Sequence, residues 1–191
     1  MNPSLTDQAR HDTVRWLEKA VIGLNLCPFA KAPHVKGLVH VCVSLAQAPE
    51  AILQALREEL QALADCPETE RETTLLVLPL ALPDFQDFND FQDAVEAEVE
   101  ALALDGVLQV APFHPRFQFA GTHEDDIGNA TNRSPYPTLH LIRESGIDRA
   151  VAAFPEAEVI FEANIRTLAR LGEAGWQALD VGPHAPAGAR S

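Results

Sequence analysis

Apolar residues recur at helical spacing in Val14, Leu17, Val21 and Leu24, which predicts a first helix from Leu5 to Leu24. It must stop before Cys27-Pro28, because the residue preceding a proline is pushed out of the helical region. From Leu38 to Leu45 the pattern changes to alternation, with Val39, Val41 and Val43 on one side and His40 and Cys42 on the other, a strand. Leu53, Leu56, Leu60 and Leu63 mark a helix entered at Pro49, and Thr73 to Pro79 is a short apolar run of the kind buried on both faces of a sheet. Phe88, Phe91, Val95, Val99 and Leu102 predict a further helix closed by Gly106, followed by a strand from Val107 to Phe113.

After a polar loop, Pro137 to Ser145 reads as a helix, with proline in the first turn and Gly146 just past the end. Two more helices are expected, Ile147 to Ala153 and Glu156 to Leu171, the last stopped by Gly172. The order α-β-α-β-α-β implies right-handed crossovers. The expected class is α/β, with a small, largely parallel sheet of three to four strands, packed helices, an N-terminal helix and a C-terminal helical segment. Phe117 and Phe119, alternating with Arg116 and Gln118, are the candidate fourth strand. A single domain over residues 5–178 would precede a Gly/Pro/Ala-rich tail, 179–191, without periodicity and expected to be disordered.

Charge narrows the partners. A formal net charge of -14 disfavours a nucleic-acid partner, since phosphate neutralisation needs a basic face, but it does not forbid a small anionic ligand held by local arginines. No stretch is apolar enough to span a membrane, and the N-terminus carries charges where an export signal needs an apolar core. Three cysteines, Cys27, Cys42 and Cys66, form no CxxC and suit a reducing cytoplasm. No Walker loop, GxGxxG, GxSxG or HExxH is present, so the sequence names no cofactor. It leaves the oligomeric state open.

Candidate chemistry concentrates in Val110–Glu144, which holds three of the seven histidines, three arginines and the triplet Glu124-Asp125-Asp126. In parallel α/β sheets, ligands bind beyond the carboxyl ends of strands, where His114 and Arg116 would lie. Asn132-Arg133-Ser134 precedes the expected Pro137 helix, whose N-terminus would attract an anion, with Arg133 and Arg116 adding charge-assisted contacts. Equally, Ser134 or Asn132 only caps that helix and Arg133 pairs with Asp125 or Asp126.

His140 and Glu144, four apart, would share a helix face. With His114 they suggest a two-histidine, one-carboxylate metal set, or a metal-free general base tuned by Glu144 or Asp126, or simply packed histidines. The acidic triplet is a weak match to a Mg²⁺ or Ca²⁺ loop. Cys27 follows a helix C-terminus, which raises rather than lowers a thiol pKa.

The segments WLEKAVIGLNLCPFAK (Trp16–Lys31), DFNDFQD (Asp87–Asp93), GVLQVAPFHPRFQFAGT (Gly106–Thr122) and NATNRSPYPTLHLIRE (Asn129–Glu144) resemble a bacterial family catalogued only as a domain of unknown function. The resemblance runs from Asp12 to Val181 and implies a single-domain cytosolic protein. It places Cys27, His114, Asp125, Asp126, Asn132, Arg133, His140 and Glu144 in or beside the family's signature segments, disfavours His123 as a ligand, and brings no reaction with it.

The reading that follows is an enzyme acting on a small anionic metabolite. Arg116 and Arg133 would hold the anion, His114 and His140 would move protons, Glu144 would orient His140, and Asp125, Asp126 and Asn132 would organise the loop. Two alternatives stand beside it: a non-catalytic module binding a small ligand or a protein, and a metal-dependent enzyme using His114, His140 and Glu144.

Overall fold

The computed structural model describes residues 4–153 and 157–184. Helix α1, Leu5–Trp16, starts at Ser4, whose side chain accepts from the Asp7 amide while the Asp7 carboxylate takes the Ser4 amide, a reciprocal cap. The chain continues as a π-helix, Leu17–Ile22, then a short helix α2, Lys31–Val35. Strand β1, Val39–Val43, leads into α3, Pro49–Asp65, and β2, Thr73–Val77. Helices α4, Phe85–Asp90, and α5, Gln92–Ala101, precede β3, Leu108–Phe113. A 3-10 turn, Ile127–Asn132, is followed by β4, Thr138–Arg143, α6, Glu144–Ala153, and α7, Ala157–Ala178. Glu156, expected to start the last helix, lies outside the described residues.

The architecture is mixed α/β, and the sheet is not largely parallel. Its order is β1-β2-β4-β3; β1 and β2 run parallel, whereas β4 is antiparallel to both β2 and β3. The difference traces to one segment. Pro137 to Ser145 is not a helix, and the fourth strand is Thr138–Arg143 rather than Phe117–Phe119.

Pro137 extends the ladder, its carbonyl accepting from the Leu78 amide at 2.9 Å. Ser134 bonds the Tyr136 carbonyl at 2.6 Å instead of capping anything. Period two is satisfied along the strand: Leu139 and Leu141 point to one face, Thr138, His140 and Ile142 to the other. Gly146 then falls inside α6 rather than after a helix.

Each face of the sheet carries its own apolar cluster. On one side Ile52, Leu56, Leu60 and Leu63 of α3, Phe88 of α4, and Val95 and Val99 of α5 cover Leu76, Leu108, Leu139 and Leu141. Burying a leucine of this kind contributes about 1.5–3 kcal/mol. On the other side Ala9 and Trp16 of α1 and Leu17, Ala20 and Val21 of the π-helix lie on Val41, Leu75 and Val77.

Val181, in the first part of the segment expected to be a tail, joins this second cluster at 5% exposure. Arg15 holds that segment through the carbonyls of Asp180 and Gly182 at 2.8 and 2.9 Å. Residues 185–191 lie outside the described residues. Among the described residues, no helix is long and apolar enough to cross a membrane.

Two helix ends differ in detail from the sequence pattern. The α4–α5 stretch is interrupted at Phe91, and α4 opens at Asp84, whose side chain caps it by accepting from the Gln86 amide at 2.8 Å. Ala103, at φ 54, rather than Gly106, takes the left-handed position after α5. Gly172, at φ 66 and ψ 172, leaves helical geometry where the sequence places the stop, and a second helical stretch follows it within α7.

The π-helix depends on Gly23, whose amide bonds the Glu18 carbonyl five residues back at 2.9 Å. A Cβ at Gly23 would stand 2.3 Å from the Lys19 carbonyl oxygen. In an ordinary exposed helix, alanine in place of glycine stabilises by about 1 kcal/mol. Here the backbone itself must yield, so Gly23→Ala is expected to destabilise by about 1–3 kcal/mol. A lower denaturant midpoint at unchanged slope is the readout, and a raised midpoint would contradict it.

Candidate functional site

His114 is fully buried at the end of β3, and its ring is spent on the backbone. Nδ1 accepts from the Arg116 amide at 3.0 Å, so the proton sits on Nε2, which donates to the Leu82 carbonyl at 3.0 Å. Leu82 adopts φ 51, a conformation unfavourable for a side chain with Cβ, and this bond helps hold it. Phe85 and Phe88 pack against the imidazole, with ring centres 5.5 and 5.1 Å away. Burial lowers the pKa of the ring, so it stays neutral.

The loop that follows is bonded mostly to itself. Buried Asn129, which the sequence pattern does not single out, accepts from the Phe119 amide and the Thr122 hydroxyl and donates to the His123 carbonyl. Asp126 caps the 3-10 turn by accepting from the Gly128 amide at 2.8 Å. Asn132 donates to the Pro112 carbonyl at 3.3 Å, and its own carbonyl takes the His114 amide.

Arg133 donates to the Glu124 carbonyl at 2.6 Å and the Phe117 carbonyl at 3.4 Å; with β4 in place of a helix, it has no helix N-terminus beside it. Arg116 and Arg133 do share a polar cleft of about 400 Å³, which Asp84, Glu124 and Asp125 also line. Three carboxylates against two guanidinium groups leave that cleft poorly suited to an anion.

Glu144 opens α6 and does not share a helix face with His140, which sits in the middle of β4. His114, His140 and Glu144 therefore do not converge. Among the described residues, no three His, Cys, Asp or Glu side chains gather as a metal site.

His140 lies instead on the other face of the sheet, opposite Leu75 of β2 and Ala111 of β3. That face carries a cavity of about 340 Å³. Its floor is Val39, Thr73, Leu75, Phe113, His140 and Ile142 of the four strands. Trp16, Leu17 and Val21 wall one side, Phe29, Ala30 and Pro33 another, and Gly146 and Ile147 of α6 also line it.

Most of this lining is apolar, and its charged members are engaged elsewhere. Arg143 donates to the carbonyls of Leu63, Cys66 and Arg71, and Glu72 lies 3.9 Å from Arg149. Cys27 reaches the lining too; burial pushes its thiol up, against the pull of the Phe29 and Ala30 amides, so it remains protonated.

His140 is the ionisable feature of the cavity floor. Its Nε2 lies 2.6 Å from Thr73 Oγ1. Desolvation lowers its pKa to about 4. In the unfolded chain a histidine titrates near 6.5, so below that pH the unfolded state takes up the proton first. The stabilisation from a neutral His140 is thus complete above pH ~6.5 and declines by about 2–3 kcal/mol as pH falls to ~4. His114 contributes in the same direction. The share belonging to His140 is the pH-dependent loss of wild-type stability that disappears in His140→Gln, measured by denaturant unfolding at pH 7 and 4.5; an identical loss in both proteins would contradict it.

The signal that marks this site in the sequence is a histidine inside an apolar strand, visible as Leu-His-Leu in β4, with the two leucines turned to the opposite face. Trp16, Thr73 and Phe113 carry no such mark.

The chain matches, over residues 8–178, the model of a family described as a protein of unknown function (DUF1415), and it belongs to that family. No curated protein and no solved structure matches it.

Proposed function

We propose that this protein binds a small, mostly apolar molecule in the cavity between the sheet and the π-helix, with His140 meeting the ligand's polar group. The observation that carries this reading is the cavity itself: about 340 Å³, walled by aliphatic and aromatic side chains, with an imidazole on its floor. Natural ligand sites commonly have this make-up, an apolar concavity of ~300–1,000 Å³ with a few placed polar groups. Interiors otherwise pack at crystal density, and apolar cavities take up apolar guests. The π-helix strengthens the case, since such wide turns concentrate at functional sites and Leu17 and Val21 present theirs to the cavity.

This reading corresponds to a small-ligand module rather than to anion chemistry at the loop. The polar cleft keeps Arg116 and Arg133 together, but its excess of carboxylates weakens the case for a small anionic metabolite there.

Trp16 lines the cavity and supplies a built-in reporter. With the chain's other tryptophan, Trp176 of α7, replaced in a Trp176→Phe protein, small aromatic alcohols are expected to change Trp16 emission along a single saturating curve. Emission that stays flat, or changes without saturating across a panel of such compounds, would refute the proposal.

A further inference from the structure

We infer that the cavity selects ligands that donate a hydrogen bond, alcohols or phenols, over ligands that only accept one, because a relay through Thr73 fixes which nitrogen of His140 is bare. The inference rests on the cavity being the binding site proposed above.

Thr73 Oγ1 stands 2.6 Å from His140 Nε2 and 2.6 Å from the Leu141 carbonyl oxygen. A hydroxyl has one proton, and a carbonyl oxygen can only accept. Both contacts are satisfied together only when the Thr73 proton goes to Leu141 and Nε2 carries the proton that bridges His140 to Thr73. A neutral imidazole has a single N–H, so Nδ1 is left with a lone pair. Among the described residues Nδ1 has no hydrogen-bond partner, and it is not among the buried polar atoms sealed without one.

Protonation would turn Nδ1 into a donor, but burial keeps the ring neutral until pH falls to about 4. Arg143, the cavity's guanidinium, is committed to three backbone carbonyls. The protonated Cys27 thiol is a weak donor only. A ketone, ether or carboxylate would thus meet lone pair with lone pair at His140, whereas a hydroxyl completes the chain from ligand to Nδ1 and from Nε2 through Thr73 to Leu141.

The test uses a matched pair on one carbon skeleton, 1-phenylethanol and acetophenone, titrated calorimetrically into the full-length protein at pH 7. Wild type is expected to bind the alcohol about ten- to hundred-fold more tightly, the range set by one hydrogen bond made against one buried acceptor left unpaired. Thr73→Val removes the relay, frees His140 to hold its proton on either nitrogen, and is expected to shrink the preference to less than about three-fold.

Equal affinities in wild type, or an undiminished preference in Thr73→Val, would overturn the inference while leaving the cavity as a binding site. Binding of neither compound, together with a flat Trp16 response, would instead overturn the reading beneath it. Should Thr73→Val fail to fold, ¹⁵N spectra of the wild-type ring decide: a protonated Nε2 with a bare Nδ1 supports the relay, and the opposite tautomer refutes it.

Discussion

Replacing Asp12 by alanine is expected to destabilise the protein by about 3–5 kcal/mol, the usual consequence of removing one partner from a buried ion pair. Asp12 has no exposed surface, yet its carboxylate accepts from Gln8 Nε2 at 3.0 Å, the Tyr136 hydroxyl at 2.8 Å and the His184 amide at 3.0 Å. Arg15 stands 2.9 Å away, and the His184 ring 3.1 Å. Burial alone would raise the carboxyl's pKa, but the donors from His184, Tyr136 and Gln8 outweigh it and hold the group below its ordinary value.

Alanine leaves the Tyr136 hydroxyl and the Arg15 guanidinium facing a site that no longer answers them. Asp12→Asn keeps one acceptor oxygen and should lose less. The network joins α1, the approach to β4 and residues 180–184, and α1 delivers Trp16 to the cavity wall a turn later. Denaturant unfolding measures the effect, and a loss below ~1 kcal/mol would show that Asp12 anchors little.

The second large effect is on binding. Ile142→Trp is expected to weaken ligand affinity at least about a hundred-fold, because the indole would occupy the space beside His140 that the ligand needs. Stability provides the control. Enlarging a side chain in a tightly packed core costs about 1–3 kcal/mol through forced rotamers and backbone shifts. Ile142 is only half-buried and lines the cavity, so the added ring has room and gains apolar contacts.

The predicted signature is therefore unchanged or increased stability with binding abolished, read by unfolding and calorimetry on the same preparation. A destabilised protein that still binds would mean the cavity is neither roomy nor the site.

Elements whose apolar pattern is set directly by burial, on one side or on both, were legible in the sequence. Leu56, Leu60 and Leu63 of α3 and the apolar run of β2 are such cases, each covered as its pattern requires. β4 was misread because Pro137 and Gly146 mimic the two ends of a helix, and a segment of six residues fits either period. That error placed His140 and Glu144 on a common face and Arg133 at a helix end, and with them the parallel sheet and the anion site.

The role of His114 was illegible for another reason. Its partners are backbone groups, one of them 32 residues away at Leu82, and nothing in a side-chain pattern records a backbone carbonyl. Apart from His140, the cavity left no trace either, since it arises from where the π-helix, the Phe29–Pro33 segment and α6 stand over the sheet, a property of tertiary spacing.

The account turns on one claim, that the cavity on the His140 face takes up a small apolar guest. A methyl-resolved NMR titration with 1-phenylethanol tests it most directly. The methyl signals of Leu17, Val21, Val39, Leu75 and Ile142 are predicted to move together along one saturating isotherm, while those of Leu56, Leu60 and Leu139 on the opposite face stay in place. Methyl signals that do not move, or that drift alike on both faces without saturation, would contradict it.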